Sequence, residues 1–331
     1  MIKINKIKFK VKLYYVCFFL LPILAFSQYL PENGIYHNLK TNDGVSLYVL
    51  EIGNNKAENT YIVLHGGFGA EHSYLINPLL PHSNRNRFIL FDQRGSLRSP
   101  AADSLITFRN FVNDIEQIRK EFKILKINIL AHSNGATIAL DYLHYHPENV
   151  NKLIMIGCPL SIIDSAYFKN IDEPINKYMA ALEVWQKRVS KNIEHKKILH
   201  NIKDEDKLTG IQFTLLQKIL YAANHTYLMN EIEKTENAFF NPNVFNALQS
   251  NVGSEEWSKR TSRMSEALTK SAIPIFLING EYDFVDPYGN AWSPISEQVP
   301  FLDFMMIKNA GHNIWLDKPK EFKKILKKVL N

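Results

Sequence analysis

The sequence predicts an α/β fold in which a mostly parallel central sheet is flanked by helices and carries an inserted helical lid. Three observations predict it: apolar strand-like runs alternate with helical patterns, two of these runs lead directly into short loops rich in small residues, and the alternation stops between Pro159 and about Lys270. In such a sheet the loops at the carboxyl ends of the strands form the functional site. We therefore expect the functional residues on loops along one edge of the sheet.

The core of the fold is predicted by short strand-like runs and by longer helical patterns. The strand-like runs are Leu47 to Ile52, Tyr61 to Leu64, Arg87 to Phe91, Ile127 to Leu130, Leu153 to Ile156, Ile275 to Ile278 and Phe304 to Ile307. The main helical patterns are Phe108 to Phe122, Ala136 to His146 and Pro319 to Leu330. We expect residues 28–159 and 266–331 to form the core.

The lid is predicted for residues 160–265, which contain lysine- and glutamate-rich helical stretches without a convincing buried strand. Because this insert follows a strand that ends at Gly157, it would overhang the carboxyl edge of the sheet. Its aromatic side chains either shape the substrate pocket or pack the lid helices against one another. These candidates are Trp185, Phe213, Tyr221, Tyr227, Phe239 and Phe240.

The N-terminal segment has the pattern of a secretory signal peptide. Its first twelve residues hold five lysines and no acidic residue, and Leu13 to Phe26 is an apolar run of fourteen residues. This run is short for a membrane span, which needs about 20 apolar residues. We expect residues 1–27 to be removed on export to the periplasm or the medium, with no stable membrane association afterwards. An uncleaved anchor is the alternative.

Composition argues against several classes of function. Of the 39 lysine and arginine residues, five lie in the signal segment, which leaves 34 against 33 acidic residues in a nearly neutral mature chain. Nucleic-acid binding needs a concentrated basic face and is therefore not expected. No cluster of histidine and cysteine has zinc spacing and no glycine-rich phosphate loop follows a strand, so we expect neither a metal nor a nucleotide cofactor. Cys158 is the only cysteine after the signal segment, so no intrachain disulfide can form.

The segment Ala131-His132-Ser133-Asn134-Gly135 presents a candidate nucleophile. It lies between the strand-like run Ile127 to Leu130 and a helical pattern, with small residues two places before and two places after the serine. A strand, a tight turn and a helix in this order form a nucleophile elbow, which exposes the serine hydroxyl at the edge of the sheet. Ala131 replaces the first glycine of the G-x-S-x-G pattern and keeps the side chain small.

A serine hydroxyl needs a base that accepts its proton and an acid that orients the base. Asp283 follows the strand-like run that ends near Ile278 and is the preferred acid, although Asp286 and Glu281 lie near enough to compete. His312 lies on the loop between the last strand-like run and the final helix and is the preferred base.

The segment His65-Gly66-Gly67-Phe68-Gly69 follows another strand-like run and predicts an oxyanion-binding loop. We expect the N–H group of Asn134 and that of either Gly67 or Phe68 to stabilise a developing negative charge on the substrate oxygen. Two interpretations of His132 stay open: its ring lines the pocket, or it supports the turn from behind.

The order of Ser133, Asp283 and His312, together with the loop His65 to Gly69, resembles the α/β-hydrolase family over nearly the whole mature chain. The resemblance implies the α/β-hydrolase fold and a catalytic triad of serine, histidine and aspartate. Dehalogenase chemistry would need a carboxylate where this chain has Ser133.

Within that family the chain is similar to the proline iminopeptidases, which are serine aminopeptidases. They pair an H-G-G-P-G loop with a D-Q-R-G-x-G-R-S segment. Here the loop has phenylalanine in place of proline, and the second segment reads Asp92-Gln93-Arg94-Gly95-Ser96-Leu97-Arg98-Ser99, with leucine in place of the second glycine. We expect Asp92 and Arg94 to brace the oxyanion loop as a charged pair without touching the substrate.

The resemblance also implies a substrate. Proline iminopeptidases carry an acidic lid residue that holds the free α-ammonium of the substrate, and Glu236-Asn237-Ala238-Phe239-Phe240 resembles the string around it. A carboxylate is needed there because a desolvated ammonium without a partner is costly. The implied reaction is the release of an N-terminal residue, proline-like, from short peptides. The alternatives are a carboxyl ester hydrolase of small acyl substrates and a non-catalytic binding module on a hydrolase fold.

Overall fold

The computed structural model of this chain describes residues 31, 34–190 and 241–331. In this part of the chain a single sheet has the strand order β1-β2-β4-β3-β5-β6-β7-β8. Its strands are β1 (Ile35–Lys40), β2 (Ser46–Gly53), β3 (Asn59–Leu64), β4 (Asn86–Phe91), β5 (Ile127–His132), β6 (Val150–Ile156), β7 (Ile275–Gly280) and β8 (Leu302–Ile307). Strand β2 pairs antiparallel with both of its neighbours, and all other pairs are parallel.

The helices flank this sheet. They are α1 (Ile76–Leu79), α2 (Phe108–Glu121), α3 (Asn134–Tyr145), α4 (Asp172–Ser190), α5 (Pro242–Asn251), α6 (Ser254–Lys270), α7 (Trp292–Ser296), α8 (Ile314–Asp317) and α9 (Pro319–Leu330). None of the helices in the described ranges is both long and apolar enough to cross a membrane.

The central strands are covered on both faces, which explains their continuous apolar runs. Every residue of β5 is buried. Alternate residues of β3 enter different cores: Ile62 and Leu64 pack in one hydrophobic cluster, whereas Tyr61 and Val63 pack in the other. The period of two that defines a strand therefore builds two cores. Helices α2, α3 and α6 cover the first core, and α1, α8 and α9 cover the second.

Helix α6 joins the layer of helices through a buried ion pair. Its Arg260 donates hydrogen bonds to Asp141 (2.5 Å) and to Thr137 (2.8 Å), both on α3. The same guanidinium lies 3.8 Å from the ring centre of Phe108. The predicted boundary between lid and core at residue 265 falls inside α6.

The α/β fold and its mostly parallel sheet are confirmed, and each strand-like run lies inside an observed strand. The sequence missed β1, because most of its residues are exposed and form no apolar run. The signal segment 1–27 lies outside the described residues, as do residues 191–240 of the predicted lid. The predictions for these two segments stay predictions.

Candidate active site

Ser133 lies on a tight turn between β5 and α3. Its backbone has φ of 53° and ψ of −128°, a left-handed conformation that costs a non-glycine residue about 1–3 kcal/mol. The turn needs small neighbours, since a Cβ atom on Gly135 would lie 2.7 Å from the main-chain oxygens of Leu64 and His65. A Cβ atom on Gly66 would lie 2.7 Å from Cβ of Ser133. The predicted elbow is therefore a strained turn packed against the loop that follows β3.

His312 and Asp283 are in direct contact at the carboxyl ends of β8 and β7. The Nδ1 atom of the imidazole lies 2.8 Å from one carboxylate oxygen of Asp283 and 2.9 Å from the other, and both side chains are buried. The competing carboxylates bond elsewhere: Asp286 accepts hydrogen bonds from the N–H groups that begin α7, and Glu281 accepts one from the N–H of Asn309. Of the three candidate acids, Asp283 is the one that contacts His312.

Ser133 and His312 approach each other across the end of β6. The N–H of Ser133 donates to the carbonyl of Ile156 (2.8 Å), which places the serine beside Gly157. Gly157 has φ of +59°, and a Cβ atom there would lie 2.7 Å from Cε1 and Nδ1 of His312 and 3.0 Å from Asp283. Only glycine fits between the elbow and the His312–Asp283 pair without a clash.

The loop after β3 offers N–H groups near the elbow. Among the described residues, the N–H groups of Gly67 and Phe68 have no hydrogen-bond acceptor. The ring of Phe68 packs on those of Phe108 and Phe111, with centroids 5.8 and 6.3 Å away, so its side chain anchors the loop to α2. Phenylalanine therefore has an apolar contact at the position where the iminopeptidase pattern has proline.

The environment of His132 favours the second of its two interpretations, support of the turn from behind. The residue is 1% exposed, and its ring packs on that of His312 with centroids 4.6 Å apart. Its Nδ1 atom lies 2.9 Å from the hydroxyl of Tyr74, which also accepts the N–H of Gly66 (2.6 Å). Its Nε2 atom lies 3.4 Å from the carbonyl of His312. The ring therefore links the loop after β3 to the loop that carries His312.

This arrangement fixes the protonation of His132. The carbonyl of His312 accepts a hydrogen bond only from a protonated Nε2, and Nδ1 then accepts the hydroxyl proton of Tyr74. Burial, reinforced by the neighbouring imidazole of His312, lowers the pKa of His132 far below its ordinary value. His132 is therefore a neutral imidazole. Sequence reasoning missed Tyr74, because nothing in the local pattern indicates that its hydroxyl reaches this turn.

His65 is also buried and neutral, and Gln93 holds it in place. Its Nε2 atom accepts the N–H of Gln93 (3.1 Å), and the amide of Gln93 donates back to the carbonyl of His65 (2.8 Å). Burial lowers the pKa of His65. Gln93, rather than the charged residues on either side of it, therefore makes the direct bonds from the Asp92 to Ser99 segment to the start of the oxyanion loop.

The expectation that Asp92 and Arg94 form a charged pair is wrong. Asp92 accepts hydrogen bonds from His72 (2.6 Å) and from Arg98 (2.7 Å), whereas Arg94 binds Asp114 (2.6 Å) on α2. The two side chains point apart because the chain leaves β4 after Phe91 and turns at Arg94. Arg94 thus ties the segment to α2.

Glu71, His72 and Asp92 form a buried cluster whose nitrogen and oxygen atoms lie within 4.8 Å of one another, close enough for metal ligands. The guanidinium of Arg98 contacts both carboxylates, at 2.5 Å from Glu71 and 2.7 Å from Asp92. An arginine is charged at any physiological pH and would repel a metal cation. The cluster is therefore an ion-pair network that holds the loop after β3 in place.

The described residues on either side of the gap at 191–240 lie close to the site. Asn241, just before α5, donates its N–H to the carbonyl of Gly69 (2.8 Å) and its side-chain amide to that of Gly95 (2.8 Å). On α4, Tyr178 is half-buried near the acid, and burial followed by the charges of Asp286 and Asp283 raises the pKa of its phenol.

Glu236 and the aromatic residues Phe213, Tyr221, Tyr227, Phe239 and Phe240 lie outside the described residues, as does the side chain of Trp185.

Comparison with known proteins gives matches along most of this chain. The profile of the family described as alpha/beta hydrolase fold matches residues 60–319. A proline iminopeptidase of Lactobacillus crispatus is 25% identical over 294 residues, which cover 87% of this chain and 95% of the relative. One of Xylella fastidiosa is 25% identical over 296 residues, covering 85% of this chain and 91% of the relative.

Solved structures show the same fold. A proline iminopeptidase-related protein of Thermus thermophilus superposes with a TM-score of 0.62 at 19% identity, covering 90% of this chain and 97% of that one. The naproxen esterase of Bacillus subtilis superposes with a TM-score of 0.57 at 18% identity, covering 92% and 94%. The resemblance to the proline iminopeptidases is confirmed, and this chain belongs to the α/β-hydrolase family, as a hydrolase whose relatives include peptidases.

Proposed function

We propose that this chain is a serine hydrolase in which Ser133, His312 and Asp283 form the catalytic triad. The observation that carries the proposal is the contact of Nδ1 of His312 with both oxygens of Asp283, on a loop that packs against the strained turn of Ser133. A carboxylate at Nδ1 fixes the tautomer that leaves Nε2 free of a proton. That nitrogen is the one that can accept the hydroxyl proton of serine.

In the proposed reaction, Oγ of Ser133 attacks the acyl carbon while Nε2 of His312 takes its proton. The carbonyl π-bond opens, and the negative charge on its oxygen is stabilised by the N–H of Asn134 and by that of Gly67 or Phe68. His312 then gives the proton to the leaving amine or alcohol, and the acyl group stays on serine. Water releases it by the same steps, with His312 as the base again.

We also propose that the substrate is a short peptide whose N-terminal residue, proline or a similar one, is released. Support comes from the iminopeptidase relatives, which match along most of this chain. In this proposal Glu236 holds the free α-ammonium, because a charged amine in a closed site needs a carboxylate partner. The acyl carbon next to that amine is then presented to Ser133.

The triad is tested by labelling with a fluorophosphonate, which reacts only with an activated serine. Wild-type protein should be labelled and Ser133→Ala should not. Ser262→Ala is a matched control, since Ser262 lies on α6 and bonds Asp164. Equal labelling of wild type and Ser133→Ala would contradict the assignment. Folding of each variant is checked by its circular dichroism spectrum.

The substrate class is tested with prolyl arylamide, its N-acetylated form and a simple acyl ester. Of the two amides, we expect only the arylamide with a free amine to be hydrolysed. Glu236→Gln should reduce that turnover by about 100-fold, since the proposed ion pair with the α-ammonium would be lost, with little effect on the ester. Glu233→Gln is the control within the same acidic stretch. Equal turnover of the blocked and free amides would rule out the aminopeptidase.

A carboxyl ester hydrolase is the second candidate, because the same nucleophile, base and oxyanion donors act on an ester carbonyl. Turnover of the ester alone would establish it. A protein that hydrolyses none of the three substrates and resists the fluorophosphonate would instead be a binding module that kept the hydrolase fold.

We further propose that residues 1–27 direct export of the protein and are then removed. The basic start and the apolar run of fourteen residues support this. Fractionation of expressing cells and the intact mass of the exported protein test it. A mature chain that begins at Gln28 is expected, and full-length protein confined to the cytoplasm would contradict export.

A further inference from the structure

A second cavity lies at the opposite edge of the sheet from Ser133. It has a volume of about 280 Å³ and is lined by residues that include Pro81, His82, Arg85, Lys323, Lys327 and Asn331. We call it the basic pocket. Its walls are the segment before β4 and the last turns of α9, so it opens at the amino end of β4, whereas Asp92 and the oxyanion loop lie at the carboxyl ends. A strand of six residues separates the two edges by roughly 20 Å.

The basic pocket carries an excess of basic side chains. It is lined by three basic side chains, Arg85, Lys323 and Lys327, and by no aspartate or glutamate side chain. In the described part of the chain none of these three forms an ion pair. Lys323 and Lys327 lie four positions apart on α9, where like charges repel and destabilise a helix. An anion between them would remove that repulsion.

His82 supplies an independent sign of a missing ligand. Its side chain is 8% exposed, and its Nε2 atom is buried without a hydrogen-bond partner among the described residues. Buried polar atoms almost always have a hydrogen-bond partner. A buried nitrogen without one on the wall of a cavity therefore indicates that a ligand in the cavity bonds to it. Lys323 and Lys327 line the same cavity as the ring, and burial, followed by the charges of these two lysines, lowers the pKa of His82.

The ring and the two ammonium groups therefore converge on one space. The main-chain oxygen of Asn331, which also lines the basic pocket, is an acceptor, and it is already bonded to Nζ of Lys152 (3.2 Å). An imidazole N–H, two ammonium groups and a guanidinium are the donors that bind phosphoryl oxygens.

We propose that the basic pocket binds a phosphate-type oxyanion, which accepts hydrogen bonds from Nε2 of His82 and from Lys323 and Lys327. The ligand is either free inorganic phosphate or the phosphate headgroup of an anionic lipid. Both present the same oxygens, and the volume admits either group. The site is separate from the catalytic machinery and does not depend on the proposed hydrolase activity.

The test is a calorimetric titration of the whole protein with inorganic phosphate in a phosphate-free buffer, with chloride as a second titrant. Saturable binding of phosphate is expected. Lys323→Gln and Lys327→Gln should each weaken it about tenfold, the effect of losing one charged hydrogen bond. Lys324→Gln is the matched control on the same helix, because Lys324 is exposed and does not line the basic pocket.

The NMR signal of the His82 ring distinguishes binding at this site from a general effect of charge. In protein labelled with ¹⁵N-histidine, the Nε2 resonance of His82 is identified as the one that is missing from the spectrum of His82→Gln. Phosphate should shift this resonance. Absence of saturable binding to either phosphate or vesicles, or equal weakening by Lys324→Gln and Lys323→Gln, would overturn the proposal.

Co-sedimentation with phosphatidylglycerol vesicles, and with phosphatidylcholine vesicles as a control, distinguishes the two sources of the phosphate group. Sedimentation that Lys323→Gln abolishes and Lys324→Gln preserves identifies a lipid headgroup as the ligand. Saturable phosphate binding without sedimentation identifies the free anion.

Discussion

The hydroxyl of Tyr74 lies 2.9 Å from Nδ1 of His132, and it also accepts the N–H of Gly66 at 2.6 Å. Tyr74 therefore holds both His132, the residue before Ser133, and the start of the loop that follows β3. We expect Tyr74→Phe to reduce kcat about ten- to hundredfold, because the loop loses the bond that orients it. The rate of hydrolysis of a chromogenic substrate measures this.

Tyr61→Phe is the matched control for Tyr74. Tyr61 is equally buried, but its hydroxyl donates to the carbonyl of Leu330 (2.7 Å) at the other edge of the sheet. Its loss should lower stability by about 1 kcal/mol and leave kcat unchanged. A similar fall in kcat for both variants would show that Tyr74 has no special positioning role.

Gly157→Ala should inactivate the enzyme. The new Cβ atom would lie 2.7 Å from two ring atoms of His312, so the imidazole must move away from the serine. Gly44→Ala imposes a similar left-handed strain, φ of +88°, where no atom lies within 4 Å. Both variants should lose about 1–2 kcal/mol of stability from the backbone alone. Full activity of Gly157→Ala, measured beside Gly44→Ala, would place the catalytic histidine elsewhere.

Asp283→Asn should lower kcat by roughly 10⁴-fold, because an amide donates where Nδ1–H of His312 needs an acceptor. Asp286→Asn should change kcat by less than about tenfold, since Asp286 bonds the N–H groups of Ala291 and Trp292 instead. Burial raises the pKa of Asp286 to about 6, against the opposing effect of those N–H groups. Steady-state rates of the two variants compare the acids, and a larger loss for Asp286→Asn would reverse the assignment.

Glu116 should give a stability that depends on pH. Burial raises its pKa, but hydrogen bonds from Arg119 (2.8 Å) and Tyr142 (2.7 Å) outweigh it and lower the pKa to about 2. A depressed carboxyl pKa stabilises the fold above the unfolded value near 4.5, and this contribution is lost as pH falls towards 2.

The corresponding variant is Glu116→Gln, with the exposed Glu121→Gln on the same helix as its control. Urea unfolding at pH 7 should show a loss of about 1–2 kcal/mol for Glu116→Gln, and a smaller loss at pH 3. A loss that is the same at both pH values would mean that the carboxylate charge plays no part.

The part of the site that could be read from the sequence is the part set by local patterns. The elbow around Ser133 and the loop that carries His312 each follow an apolar run, and the carboxyl ends of parallel strands meet at one edge. Strand β1 has no such run and was missed, because its pairing with β2 uses backbone bonds that any side chain permits. Arg94 was misread because its partner Asp114 is distant in sequence and lies on another element.

By itself, then, the sequence determined seven of the eight strands of the described sheet, the turn at Ser133 and the loops on which Asp283 and His312 lie. Hydrophobic periodicity and small residues at turns are properties of neighbouring positions, so they can be recognised in the sequence alone. Only the tertiary structure decided which carboxylate faces His312, that His132 is a neutral support bonded to Tyr74, and that Gly157 must lack a side chain. Those outcomes depend on distances between residues far apart in the chain, which exist only once the sheet brings its strand ends together.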